Sequence, residues 1–252
     1  MIIIDELKFA YVHIPKCAGT SIKQSNPDQE MTRIDNGFGF DSTHLPLSYI
    51  KMKAPVVYEK ILSYDSYAHV RDPVLRFRSA LFQHSREFLD LSSAECDDDT
   101  LRRIAHDVID VIKSSELPFP EKYEHFTPQH TYIEEDGVLV VKNVAVLGDF
   151  RLLNGFYSRN GFNTIGRPEN VSRTPKEGWF SVASYVVKPF VRKLLPENLK
   201  VKIWEWLVDK GYYQSLSESS LDFLKRDPEI MSFIKDYYAR DFVIYENAKK
   251  RR

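Results

Sequence analysis

The amino-acid sequence predicts an α/β fold in a single domain, with a central, mainly parallel sheet flanked by helices. Three observations carry this expectation. Short runs of β-forming residues alternate with segments of helical periodicity, the pattern of strand–helix–strand units. Two strand-to-helix junctions each carry a cation, Lys16 at the first and Arg71 at the second. The length of 252 residues suits one domain with a large core that needs no covalent staples.

Taken in chain order, Phe9–Ile14 reads as a short buried strand that Pro15 ends. Lys16-Cys17-Ala18-Gly19 forms a loop of small residues, and Thr20 and Ser21 offer capping hydroxyls to a helix starting near Ile22. The polar stretch Asn26–Thr43, with Gly37 and Gly39, reads as a surface loop. Tyr67–Val70 is a second strand. Asp72-Pro73 then has the form of an N-cap followed by proline at the first helical position, and Val74, Phe77, Leu81, His84 and Phe88 mark the buried stripe of the helix. Leu101, Ile104, Val108 and Val111 repeat that spacing. Tyr132–Val141 predicts a hairpin around Glu-Glu-Asp-Gly, Val144–Leu147 a further strand, and Phe150–Tyr157 a helix. Arg167–Gly178 reads as a polar loop, and Pro196–Asp209 and Asp227–Lys249 as helices. No internal repeat or low-complexity linker interrupts the chain, so one domain is expected over 1–252.

Composition narrows the partners. Lys and Arg number 35 against 36 Asp and Glu, so no global field draws the chain to nucleic acid, and any anion site must be local. The terminal run Lys249-Lys250-Arg251-Arg252 reads as a solvated tail. Cys17 and Cys96 are the only cysteines, too few for a disulfide framework and without zinc spacing, which points to a reducing compartment and no metal. The apolar start Met1–Ile4 is too short for a signal peptide, and Ser181–Leu195, the nearest approach to a spanning segment, is interrupted by Lys188, Pro189, Arg192 and Lys193. A cytoplasmic protein without a transmembrane segment is the expectation.

The chemistry concentrates at the two junctions. In His13-Ile14-Pro15-Lys16-Cys17-Ala18-Gly19-Thr20-Ser21, a tight loop leads into a helix and presents backbone N–H groups to an anion. Lys16 adds a point charge, Gly19 a close approach of backbone, and Thr20 and Ser21 hydroxyl donors. The logic is P-loop-like, but the lysine precedes the glycine, which argues against an ordinary nucleoside triphosphatase. At the second junction Arg71 stands at a strand end and Ser79 lies about two helical turns on, a guanidinium fork and a hydroxyl suited to a phosphate. Arg76 suits a structural ion pair, and Arg78 reads as an exposed helix position.

The pair HIPKCAGTS and VRDPVLRFRSA resembles the 5'-phosphosulfate loop and the 3'-phosphate motif of sulfotransferases that use 3'-phosphoadenosine 5'-phosphosulfate (PAPS). It is most similar to the carbohydrate (Golgi-type) branch and its bacterial relatives. Ser42–Leu47, Phe126–Gln129, Val144–Phe150 and Tyr238–Phe242 resemble further family segments, so the likeness runs from Phe9 to Phe242. It departs at Asp72, where asparagine is frequent, and at 181–211, which has no counterpart and reads as a family-specific insertion. The resemblance implies a sulfotransferase-type core and PAPS as sulfuryl donor. Lys16, Cys17, Ala18, Gly19, Thr20 and Ser21 would hold the 5'-phosphosulfate, Arg71 and Ser79 the 3'-phosphate, and Ser172 and Arg173 would form a late loop on the nucleotide. It also implies a hydroxyl acceptor on a glycan or glycolipid.

Such a transfer needs a base, and a histidine near its ordinary pKa suits neutral pH. His44 is the candidate, by its place between the two motifs. His13 and His69 fall on strands, His84 and His106 on helices, and His125 and His130 beside a loop; Asp41 and Glu59 are the carboxylate alternatives. Two other functions share these residues: a nucleotide or nucleoside kinase, with Asp149 as its magnesium ligand, and a binding module that reads a phospho-ligand without turnover. The aromatics Trp179, Phe180, Tyr185, Phe190, Trp204 and Trp206 fit core packing or an acceptor or peripheral membrane contact.

Overall fold

Alternating side chains give the central sheet two buried faces. The computed structural model describes residues 1–26, 28, 30–35, 41–91, 95–166, 173–175, 213–215 and 222–251. Its central sheet is built from Ile2–Ile4 (β1), Phe9–Tyr11 (β2), Asp65–Val70 (β3) and Asn143–Val146 (β4), side by side in that order. β2, β3 and β4 are parallel, in register Tyr11 to Tyr67 and His69 to Ala145, while β1 adds an antiparallel edge. Phe9, Tyr11 and Tyr67 point to one face, Ala10, Ala68 and Val70 to the other, and each face is buried.

Helices cover both faces. Gly19–Ser25 (α1) and Arg151–Arg159 (α6) supply Ile22, Leu153, Phe156 and Tyr157 to the first face, where the Phe156 ring stacks on Phe9 at 4.4 Å. Leu47–Lys53 (α2), Pro55–Ser63 (α3) and Ala239–Lys250 (α8) supply Ile50, Ile61, Ile244 and others to the second. Pro73–Glu87 (α4), Asp98–Lys113 (α5) and Pro228–Tyr237 (α7) pack on one another beyond the strand ends. Asp72 caps α4 through its carboxylate on the Leu75 N–H at 3.0 Å, with Pro73 at the first helical position. The hairpin forms as its sequence predicts: Asp136 and Gly137 both take positive φ, the turn that matches strand twist.

Three local expectations change. The loop after α1 contains a short antiparallel pair, Ile34–Asp35 with Asp41–Ser42. Asp227–Lys249 is two helices, because the chain turns at Tyr238, whose buried hydroxyl donates to the Phe126 carbonyl at 2.7 Å. Within the expected polar loop, Arg173–Pro175 is a strand paired with Tyr213–Ser215. The chain forms two compact units, Met1–Glu169 with Phe223–Arg252, and Asn170–Asp222. The first contains the central sheet and every helix named above. The expected insertion 181–211, with the helix over Pro196–Asp209, lies outside the described residues. No helix among the described residues is long and apolar enough to cross a membrane.

Candidate functional site

The loop after β2 holds its shape by backbone conformation. Lys16 and Ala18 take left-handed φ values of 65° and 76°, each costing a non-glycine residue about 1–2 kcal/mol. Left-handed residues thus stand on either side of Cys17, whose N–H donates to the Ile14 carbonyl at 3.2 Å. α1 therefore begins at Gly19 with Ala18 as its cap, and Thr20 and Ser21 lie inside the first turn rather than capping it. Thr20 is exposed, whereas Ser21 is buried. A methyl group at Gly19 would overlap the His13 imidazole, so the ring takes the space that a side chain there would need.

Lys16 and Arg71 come together across adjacent strand ends. Arg71 Nη1 donates to the Lys16 carbonyl at 3.4 Å, and the Lys16 ammonium donates to Gln83 Oε1 on α4. Burial, with Arg71 adding repulsion, lowers the Lys16 pKa to about 8, and burial lowers that of Arg71 as well. Both remain mainly charged at neutral pH. Ser79 is one helical turn before Gln83, so it shares the α4 face that meets Lys16.

Gln129 holds this pair in place, a role the sequence did not reveal. Its side-chain amide accepts from the Arg71 N–H and donates to the Arg71 carbonyl, both at 2.8 Å. The same oxygen lies 3.3 Å from the Cys17 thiol, which burial pushes up to about 11 and so keeps protonated. Behind Gln129, buried Asp241 of α8 accepts from the backbone N–H groups of Gln129 (2.7 Å) and His130 (2.9 Å). Arg76 is the second fastener. It is 1% exposed and donates to the carbonyls of Pro15 (3.1 Å), His125 (3.1 Å) and Thr127 (2.7 Å), tying the lysine loop to the segment before Gln129. Arg78 is buried rather than exposed, because the face of α4 that carries it also packs inward; its guanidinium lies over the Phe82 ring, and burial lowers its pKa to about 10.

On the other side of the loop stand imidazoles. His44, in the turn before α2, donates Nδ1–H to the His13 carbonyl at 3.2 Å, which fixes the tautomer with its lone pair on Nε2. Its ring lies 4.3 Å from that of His13 and 5.8 Å from that of His125. One ligand atom each from His44, Glu124 and His125 lies within 4.8 Å of the others, with His125 Nε2 3.7 Å from Glu124 Oε1. Linear spacing conceals this group, since 79 positions separate His44 from Tyr123, the residue before Glu124. A base of ordinary pKa is not what burial leaves at His44. Desolvation, then repulsion from His125, lowers it to about 3; His125 is lowered to about 3 by burial and by Lys16.

The other histidines are structural. His69 bridges the Tyr11 hydroxyl (3.2 Å) and the Asp149 carbonyl (3.1 Å), His84 bonds the Lys122 carbonyl, and His106 and His130 pair with Asp227 and Asp241. Asp149, the carboxylate that the kinase reading would use, forms a two-pronged pair with Arg151 (2.9 and 2.8 Å). Glu59 lies on α3, and the side chain of Asp41 lies outside the described residues. Ser172 also lies outside them, and Arg173 falls in the second unit, its side chain not described. No protein-family model, no curated protein and no solved structure matches the chain.

Proposed function

We propose that this protein is a sulfotransferase that moves a sulfuryl group from PAPS to an acceptor hydroxyl, with a carbohydrate as the acceptor class. The observation that carries the reading is the meeting of Lys16 and Arg71 at neighbouring parallel strand ends, with the Ser79 face of α4 beside them. Ligands of open α/β sheets bind outside the carboxyl ends of the strands, and two adjacent cations suit a donor with two separate phosphate groups. Lys16, with the backbone from Cys17 to Ser21, would take the 5'-phosphosulfate. Arg71 and Ser79 would take the 3'-phosphate.

In this mechanism the acceptor oxygen attacks sulfur in line, and the bond to the bridging phosphate oxygen breaks with its electron pair. Adenosine 3',5'-bisphosphate leaves. Lys16 Nζ, displaced from Gln83, stabilises the charge that develops on the leaving oxygen. His44 Nε2 takes the acceptor proton. Its low resting pKa comes mainly from burial, and a negative donor bound nearby would shift it upward.

The test is sulfate transfer from labelled PAPS to a panel of glycans, phenols and lipids, together with calorimetry of nucleotide binding. Transfer to at least one hydroxyl acceptor is expected, with adenosine 3',5'-bisphosphate bound far more tightly than AMP. His44→Ala should slow turnover by about 10² to 10⁴ while leaving nucleotide affinity nearly unchanged. Equal affinity for AMP and the bisphosphate would overturn the reading. Bisphosphate binding without any transfer, unaltered by His44→Ala, would favour the binding module.

A further inference from the structure

We propose that His44, Glu124 and His125 form a site for one divalent transition-metal ion of the zinc type, with its fourth position open. The inference goes beyond sulfuryl transfer and does not rest on it. Two imidazole nitrogens and one carboxylate oxygen are a zinc donor set in which a fourth position takes water or a substrate oxygen. Their ligand atoms already lie within 4.8 Å of one another, and the His125–Glu124 pair at 3.7 Å. Tetrahedral coordination brings ligand atoms to about 3.3 Å, a contraction that small side-chain rotations supply.

The surroundings have the form of a metal site's outer shell. Metal-binding histidines commonly donate their second ring N–H to a carbonyl, which orients the ring; His44 does so to His13. Both histidine backbones are also fastened. The Arg76 guanidinium holds the His125 carbonyl at 3.1 Å, and the Tyr132 hydroxyl reaches the His44 carbonyl at 3.5 Å. Glu124 and His125 are sequence neighbours on the short 3₁₀ helix Glu121–Phe126, where adjacent side chains ordinarily diverge, yet here both turn toward His44. All three ligands are partly buried. The nitrogen content of the set disfavours magnesium and calcium, which take oxygen ligands. With an ion bound, the open position would take water or a substrate oxygen, and only the metal-free protein would leave His44 free to act as the base proposed above.

The experiment is calorimetric titration of the chelator-treated full chain with Zn²⁺, and a parallel Co²⁺ titration followed by visible absorption. One ion per chain is expected, with the intense absorption of tetrahedral Co²⁺. Glu124→Gln and His125→Ala should each weaken Zn²⁺ binding by about 10²-fold or more. His106→Ala, which removes a histidine outside the group, should change nothing. Failure to saturate at one ion per chain overturns the proposal, as does Zn²⁺ binding that survives Glu124→Gln and His125→Ala. Circular dichroism accompanies each variant; should His125→Ala unfold, the near-isosteric Glu124→Gln decides alone. PAPS-dependent transfer by the chelator-treated protein is scored separately, so either proposal can fail without the other.

Discussion

Lys16 and His44 flank the same strand-end loop, and burial lowers the proton affinity of both. Yet the outcomes are opposite. Lys16 falls from 10.5 to about 8 and keeps its proton at neutral pH, while His44 and His125 fall from 6.5 to about 3 and lose theirs. One desolvating environment thus yields a cationic side, suited to phosphate oxygens, and a neutral side rich in lone pairs, suited to accepting a proton or an ion. The side chain's starting point decides which. Neither half would gain from exchanging residues: a histidine in place of Lys16 would be neutral beside the anion, and a lysine in place of His44 would repel any cation.

The comparison can be broken at its hinge. Arg76 fastens the lysine loop to the His125 segment, so Arg76→Ala should damage both halves at once and destabilise the fold by about 3–5 kcal/mol, read by urea unfolding. Damage confined to one half would show that the two sides are independent. Next in size is Lys16→Ala, expected to cut transfer by about 10² to 10³ with the fold intact by circular dichroism. Activity within about tenfold of the parent chain, roughly 1.4 kcal/mol in the barrier, would remove Lys16 from the mechanism.

Titration sharpens the contrast. Bisphosphate affinity should weaken through pH 8 as Lys16 loses its proton, by up to about tenfold per pH unit. Stability shows the same sign in two windows. His69, lowered by burial to about 4, binds a proton in the unfolded chain at a higher pH than in the folded one. Stability should therefore be full above about 6.5 and fall as pH drops toward 4, at up to about 1.4 kcal/mol per pH unit for that group. His69→Gln should flatten this acid limb in denaturant titrations, and an unchanged slope would refute the assignment. Lys16 behaves likewise between about 8 and 10.5, where the unfolded chain again holds more protons and stability rises with pH.

The smallest effects test the loop itself. Gly19→Ala forces a methyl into the His13 ring and should lower thermal stability, with overpacking of this kind costing about 1–3 kcal/mol. Ala18→Gly relieves a left-handed alanine and should be neutral or stabilising by up to about 1 kcal/mol. Equal effects from the two would mean that backbone strain and ring contact do not divide the loop as described.

Much of the fold was legible because its signals are local. Asp72-Pro73 announced the start of α4, Asp136-Gly137 the hairpin turn, and the runs at Phe9, Tyr67 and Val144 the parallel strands. The expected positions of Lys16 and Arg71 at consecutive strand ends could be read for the same reason. What stayed hidden depends on packing across the chain. Nothing near Gly19 in sequence says that a ring six residues earlier folds back over it, and nothing near His44 announces Glu124 and His125. Phe126–Gln129 stands out in the sequence only as a segment; the role of Gln129 lies in its amide, which grips both polar atoms of the Arg71 backbone from 58 positions away. Pairs such as Ile34–Asp35 with Asp41–Ser42 are too short to leave a periodic signature.

The grip of Asp241 on Gln129 has a temporal meaning. These residues are 112 positions apart, and Gln129 in turn sets the backbone of Arg71 from 58 positions away. On a ribosome, the strands that display Lys16 and Arg71 emerge long before α8 does. Contacts so distant in sequence form late and slowly, because the intervening chain must first be ordered. A growing chain would thus carry both cations early without the geometry to hold a bisphosphate. If the protein binds a bisphosphate as proposed, affinity should switch on only when α8 docks, and binding would then report completed folding.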